Sequence, residues 1–262
     1  MNRWTRGVGA LCLLCLPLLA AGQSFDLNSA LNVVKGVSQS VSVGNMSEQE
    51  EVAVGRDVAT GVLGRYRLVE DERLQRYLNQ VGVWVAMQSS RPGLPWRFAA
   101  IESPDINAFA VPGGTVLVTQ GMLKMLVNEA ELGCVLGHEV AHVEHKDHLA
   151  VLQKTLLVQT GGNLLAAKQD SVLHKQLIGE GATLFNRSLD RDAERKADEE
   201  GVVLAARAGY DPGTCLGFMQ RLAGLKAGAN ALEALYKTHP AASERKGDIE
   251  KALRRLQGAS AG

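Results

Sequence analysis

The sequence predicts a mainly helical α+β domain with one small β-sheet. Three observations carry that reading. Apolar residues recur at helical spacing behind capping patterns, two short β-branched or aromatic stretches flank a Pro-Gly-Gly turn, and helical patterning resumes around a His-Glu-x-x-His run. With 262 residues, 46% hydrophobic and 21% charged, the composition is ordinarily globular and the length suffices for a sizeable core.

The first residues stand apart from that domain. Arg3 and Arg6 precede an apolar run from Val8 to Leu19, closed by Ala20, Ala21 and Gly22. This is the pattern of a cleavable secretory signal peptide over 1–22; about a dozen apolar residues fall short of the roughly 20 that a spanning helix needs. No later stretch reaches that length either, so the mature chain is expected to have no transmembrane segment. Gly22, Gln23 and Ser24 stand where a lipid-modified cysteine would, so no lipoprotein is expected. Residues 23–45, rich in Ser, Val, Gly and Asn without periodicity, read as a spacer, and 258–262 as a short tail. The domain is expected over 46–257.

Lys plus Arg and Asp plus Glu number 28 each, and loss of Arg3 and Arg6 leaves 26 against 28, a net charge of −2. Nothing in that balance recommends nucleic acid as a partner. Cys12 and Cys15 would leave with the signal, which keeps Cys134 and Cys215. Two cysteines make no disulfide scaffold, and the favoured reading is two small buried apolar side chains on helices rather than a bond between them.

Within the domain, Ser47 and Glu50 form a capping-box pattern ahead of Val54, Val58, Val62 and Leu63. A second helix follows from about Asp71 to Met87, with Leu74, Tyr77, Leu78, Val81 and Val85 on its buried side, until Arg91, Pro92, Gly93 and Pro95 break it. Trp96–Glu102 and Thr115–Thr119 read as strands, and Asn107-Ala108-Phe109-Ala110 meets Pro112-Gly113-Gly114 to suggest a hairpin. Asn128, with Glu131 as capping-box partner, opens the next helix.

That helix contains His138-Glu139-Val140-Ala141-His142, and Leu132, Val135, Leu136, Val140 and Val143 form its apolar stripe. By chance the three fixed residues occur in roughly one chain of this length in a hundred, so the helical context decides. Residues four apart lie about 40° from each other around the axis, so both imidazoles can face one ion. Two His and a Glu on a largely buried helix would be costly without a partner, and a metal ion supplies one. A catalytic zinc takes three protein ligands and keeps a position open. Glu194, in the helical run from Arg191 to Asp198, is the choice for the third, and Asp198 shares its face, where it can accept a hydrogen bond from the outer nitrogen of a ligating histidine. Taken alone, this run reads as an exposed charged helix, and the ordered motifs around it argue for the ligand.

The ordered motifs resemble the gluzincin zinc metallopeptidases that include the CAAX prenyl endopeptidases and the HtpX heat-shock protease, and look closest to their soluble periplasmic, BepA-like branch. The resemblance spans about Met46 to Lys251. It rests on Asn107-Ala108-Phe109-Ala110-Val111-Pro112-Gly113-Gly114 with Gly121 ending the following strand and turn, on Glu129-Ala130-Glu131-Leu132 and Leu136-Gly137-His138-Glu139-Val140-Ala141-His142, on Arg191, Glu194, Ala197 and Asp198 as R-x-x-E-x-x-A-D, and on Gly209-Tyr210-Asp211-Pro212. It implies a zincin-like catalytic domain, one Zn²⁺ held by His138, His142 and Glu194, Glu139 as general base, and unfolded or misassembled protein as substrate. His239-Pro240 with Arg245 resembles a late family motif folding back over the metal. His239 then orients the reacting group or occupies the open zinc position, and Arg245 binds an oxyanion or fixes the loop; otherwise the segment is a plain helix-entry turn set by proline.

The chain also departs from the family. Lys146-Asp147 stand where many relatives carry Arg-His, so the nearby His145 and His148 are read as exposed helix histidines without a catalytic role. Asp190 replaces a commoner Ser, which leaves a cap there in question. The expected function is zinc-dependent endopeptidase action on unfolded or misassembled envelope proteins in the periplasm, with Asn107, Ala108, Phe109 and Ala110 as a strand that pairs with extended substrate. The alternative is a chaperone-like client-binding assembly factor with a latent zinc site.

Overall fold

The computed structural model describes residues 46–159, 188–225 and 230–260. The predicted signal peptide and spacer lie outside them, as do the last two residues. The described residues form nine helices and three strands, the mainly helical α+β fold expected. Helix α1 (Glu48–Leu63) begins on Ser47, whose side chain accepts from the Glu50 amide while the Glu50 carboxylate accepts from the Ser47 amide, so both arms of the predicted capping box are made. Helix α2 (Glu72–Ala86) begins on Asp71, which accepts from the Arg73 and Leu74 amides, and buries Leu78, Val81 and Val85. Tyr77, expected on that buried side, lies at its edge, 40% exposed, because its hydroxyl reaches out to Glu129 at 2.8 Å.

Strands β1 (Arg97–Ile101), β2 (Ala108–Val111) and β3 (Thr115–Thr119) stand in the order β1-β3-β2, with β2 antiparallel and β1 parallel to β3. All of β2 is buried because its two faces meet different partners. Ala108 and Ala110 join the main core with the next long helix, whereas Phe109 and Val111 pack with Val58 and Val62 of α1. The β2–β3 turn needs its glycines: Gly113 and Gly114 have φ of +77° and +100°, and a Cβ on Gly113 would stand 2.6 Å from the Val52 Cα. Gly121 does not end the strand as expected but sits in the first turn of α3 (Gln120–Met125), which Thr119 caps.

Helix α4 (Glu129–Glu144) has Asn128 as its N-cap, accepting from the Glu131 amide. The reciprocal arm of the predicted capping box is missing, since the Glu131 carboxylate accepts from the Val127 amide and pairs with Arg221. At its other end Lys146 adopts φ +60°, a conformation that costs a non-glycine residue about 1–2 kcal/mol, and turns the chain into α5 (Asp147–Gln159). Helix α6 (Arg191–Arg207) is capped by Asp190, which accepts from the Ala193 amide, so the departure from Ser preserves the cap. Its C-terminus closes with Gly209 at φ +93° and amide bonds from Gly209 to Ala206 and from Tyr210 to Ala205, a Schellman arrangement.

Helices α7 (Gly213–Gly224), α8 (Asn230–Thr238) and α9 (Ala242–Ser260) complete the described chain, α9 extending into the predicted tail. Cys134 of α4 and Cys215 of α7 form a disulfide, which corrects the reading of them as two separate buried thiols. Both are indeed buried on helices, but the helices bring their Cα atoms within 5.4 Å, a spacing that adjacent sequence cannot reveal across 81 residues. Among the described residues no helix is long and apolar enough to cross a membrane.

Candidate active site and metal centre

The site forms where α4 and α6 touch. Their backbones approach through two glycines: a Cβ on Gly137 would lie 2.6 Å from the Gly201 carbonyl oxygen, and one on Gly201 would lie 2.7 Å from the His138 amide nitrogen. Only that close approach lets a glutamate on α6 reach histidines on α4. His138, His142, Glu194 and His239 each offer one donor atom, all within 4.8 Å of one another, and all four residues are buried. His138 Nε2 lies 3.0 Å from His142 Nε2 and 3.7 Å from Glu194 Oε2, while His142 Nε2 lies 3.5 Å from Glu194 Oε1. Tetrahedral ligands about 2.0–2.2 Å from a zinc ion stand roughly 3.4 Å apart, so the donor set and its spread fit such an ion.

His239, in the turn between α8 and α9, places Nδ1 2.9 and 3.0 Å from the two Glu194 oxygens and 3.4 Å from His138 Nε2. Pro240 stands two residues before the first residue of α9, in the turn that leads into that helix. Glu139 is buried beside this group, its Oε1 3.9 Å from His239 Nε2; its Oε2 has no hydrogen-bond partner among the described residues. An orphaned carboxylate oxygen in a closed site is expensive unless a water or ion completes it.

Each histidine of α4 is held by a carboxylate on its outer nitrogen. Asp198 Oδ1 lies 3.1 Å from His138 Nδ1, the contact anticipated from the helical spacing of Glu194 and Asp198. Asp147 Oδ2 lies 2.8 Å from His142 Nδ1. A proton on Nδ1 in both rings leaves both Nε2 atoms as acceptors for a metal. Asp147 was missed. Its signal was its place just past the second histidine, but only the left-handed Lys146 turns its carboxylate back onto that ring. Arg245, from the first turn of α9, grips Asp198 with Nε at 2.9 Å and Nη2 at 2.6 Å.

Burial, then Arg245 and His142, push His138 below its ordinary value and favour the neutral ring that ligates metals. At His142 burial acts downward too, but Asp147, Glu194 and Glu139 outweigh it and hold the ring above its usual value. Burial pushes Glu194 upward, yet His239 and His138 hold it well below the usual carboxylate range; Asp198, against the same burial, is brought to about 2 by Arg245. His145 is exposed as expected, but His148 packs its ring edge-on against His142 at 5.5 Å between centroids, and burial pushes it well below its usual value. The reading of His148 as an exposed histidine is therefore corrected: the turn at Lys146 rolls the start of α5 against α4.

A second buried charge group, which no local sequence pattern announces, lies behind the sheet. The fully buried Glu51 of α1 accepts from Arg91 at 3.0 and 2.8 Å and from the Gly113 amide at 3.0 Å, and Arg91 also donates to the Val143 carbonyl near the end of α4. It joins the β2–β3 turn to the helix of the histidines.

Two histidines one helical turn apart, a glutamate from a neighbouring helix and a buried glutamate beside them define the site of a metallopeptidase. A sequence profile of peptidase family M48 matches residues 72–253, and the chain belongs to that family. It is 26% identical over 255 residues to the beta-barrel assembly-enhancing protease of Yersinia pestis, covering 94% of this chain and 52% of that protein. It is 28% identical over 207 residues to the mitochondrial metalloendopeptidase OMA1 of Arabidopsis thaliana, covering 76% of this chain and 41% of the other. To metalloprotease YcaL of Escherichia coli K12 it is 28% identical over 165 residues, 61% of this chain and 63% of that one. The chain thus spans about half the length of the curated relatives it matches.

Proposed function

We propose that this chain is a zinc-dependent endopeptidase that hydrolyses peptide bonds in unfolded or misassembled envelope proteins, exported to the periplasm by a cleaved signal peptide over 1–22 and acting through a catalytic domain over 46–257. The substrate class and compartment are supported by similarity to proteins named for β-barrel assembly, and the Cys134–Cys215 bond suits an oxidising compartment. The observation that carries the activity is the buried Glu139 Oε2, without a hydrogen-bond partner among the described residues, beside four converging donors.

His138, His142 and Glu194 are the residues proposed to hold one zinc ion. When bound, zinc supplies Lewis acidity that lowers the pKa of a water at its open position to about 7. Glu139 takes the proton of the attacking water through Oε2 and returns it to the leaving amine. Asp198 and Asp147 fix the two imidazoles. Arg245, both of whose inner nitrogens are engaged by Asp198, is a positioning residue for His138 rather than an oxyanion ligand.

In the β2–β3 ladder Asn107 bonds to Thr119, so alternation directs the Ala110 amide and carbonyl away from β3, toward where an extended substrate would pair. Asn107 to Ala110 are buried in this state, and Thr238 of α8 reaches to 3.5 Å from Asn107. Access thus requires α8 to move. His239 moves with it and vacates its place among the donors.

The test is zinc content and cleavage of unfolded casein by the purified full chain and by Glu139→Gln. About one zinc per chain in both, with turnover down about 100- to 10,000-fold in Glu139→Gln, is the expected result. Loss of zinc together with activity in Glu139→Gln would contradict the assigned roles. A client-binding factor with a latent zinc site is the second reading. One observation favours it: His239 stands in the fourth donor place and the site is closed. Zinc without cleavage, even in His239→Ala, would select it.

A further inference from the structure

His145 and Lys146 join α4 to α5, and Lys146 serves both helices. Its amide donates to the Val143 carbonyl at 3.1 Å and its carbonyl accepts from the Ala150 amide at 3.0 Å, so it closes one helix and opens the next. The direction of α5, and with it the reach of Asp147 to His142 Nδ1, therefore depends on the φ of +60° at Lys146. Any residue with a Cβ is disfavoured in that conformation by about five- to thirtyfold, whereas glycine adopts it freely. The Lys146 side chain supplies a reason for it to persist. Its Nζ lies 3.5 Å from Oε2 of Glu51, a fully buried carboxylate on α1. Glu51 is fixed in place, because Arg91 at 3.0 and 2.8 Å and the Gly113 amide at 3.0 Å hold both of its oxygens. The Lys146 side chain is 24% exposed, so salt screens this pair less than it would a pair on the open surface.

We propose that Lys146 is a positioning residue of the metal centre: its ion pair with Glu51 holds the left-handed turn that keeps Asp147 on His142. The proposal rests on the reading of His142 as a zinc ligand. It makes α1, a helix that contributes nothing to the donor group, a determinant of metal affinity through Glu51, Lys146, Asp147 and His142 in turn. Without the pair the turn relaxes to a conformation that residues with a Cβ prefer, and Asp147 leaves the ring. Apparent zinc affinity then falls with the population of the turn, and by no more than the removal of the Asp147 carboxylate itself.

The test is the zinc affinity of the full chain, read by competition with a chelator, in Lys146→Met, Lys146→Gly, Asp147→Ala and Lys146→Met/Asp147→Ala. Both changes at Lys146 remove the amine and leave Glu51 its bonds to Arg91 and Gly113, so neither orphans the buried carboxylate. Lys146→Met should weaken zinc binding about five- to thirtyfold. Lys146→Gly, free to take positive φ, should stay within about threefold of the parent. Beside Asp147→Ala, Lys146→Met should add less than about twofold, which a general loosening of the fold would not reproduce. A second readout needs no metal. In the zinc-free chain the His142 Nδ1 proton, identified by its loss in Asp147→Ala, should give a slowly exchanging NMR resonance in the parent and in Lys146→Gly but not in Lys146→Met. Parent affinity in Lys146→Met, equal losses in Lys146→Met and Lys146→Gly, or a loss that persists beside Asp147→Ala overturns the proposal. A parent that binds no zinc but shows this NMR pattern sinks the metal reading and leaves the coupling of Lys146 to His142 standing.

Discussion

At the residue scale the site is held by carboxylates as much as by histidines. Asp147 contacts His142 at 2.8 Å and Asp198 contacts His138 at 3.1 Å, each on the nitrogen that faces away from the donor group. Such outer partners fix tautomer and ring direction, and their loss typically weakens metal binding about 10- to 100-fold. Asp147→Ala is expected to weaken zinc binding by that factor, read by competition with a chromophoric chelator. Unchanged affinity would mean the contact is incidental. Asp198 was legible because it lies four residues after Glu194 on one helix. Asp147 was not, because its contact depends on a backbone conformation, φ +60° at Lys146, that lysine does not advertise. His239 was legible only through the order of motifs, and its neighbours in space, Glu194 and His138, come from two other helices.

Elements position these residues by how closely they pack. The contact of α4 with α6 runs through Gly137 and Gly201, where an added methyl would stand 2.6–2.7 Å from backbone atoms of the other helix. Backbone cannot yield as a flexible side chain does. Gly201→Ala should therefore cost about 1–3 kcal/mol in urea unfolding and separate Glu194 from the histidines, which lowers zinc occupancy as well. Stability and occupancy equal to the parent would show that the helices have slack. Helix α1 is fixed differently, by Glu51 in its buried group with Arg91, Lys146 and the Gly113 amide. Burial raises the Glu51 pKa, but the bonds from Arg91 outweigh it and the net shift is downward. A depressed folded value means that the stabilisation is complete above the ordinary carboxylate value of about 4.3 and is lost as pH falls through the folded one. Glu51→Gln should cost about 3–5 kcal/mol at pH 7, and its gap from the parent should narrow on acidification below about pH 4. A gap independent of pH would assign the effect to packing. Helices α1, α2 and α4 were legible because their caps and apolar spacing are local. The Glu51 group was not, since its members come from four separate stretches of chain, around Glu51, Arg91, Gly113 and Lys146.

For the whole molecule, the covalent tie between α4 and α7 matters most. Cys134 and Cys215 enclose 81 residues of sequence separation, a span that includes α5 and α6 and therefore Glu194. The chain-entropy account of such a loop gives roughly 4–5 kcal/mol, arising mainly from restriction of the unfolded chain. The bond also floors a cavity beside Glu139, with Phe218 and Met219 next to it. Two effects of reduction can therefore be separated. If the bond acts on the unfolded chain, reduced protein loses about 2–5 kcal/mol in urea unfolding but keeps its zinc and its peptidase turnover under native conditions. If it also braces α7 against α4, turnover falls at a denaturant concentration where the protein is still folded. The measurement is urea unfolding, zinc content and casein turnover of the full chain with and without reductant, beside Cys134→Ala/Cys215→Ala. The first pattern is expected, because Leu132, Val135 and Leu136 of α4 remain packed in the same core as Phe218 and Leu222 of α7 without the bond. Stability unaltered by reduction would remove the disulfide as a stabilising element and weaken the argument from it for an oxidising compartment.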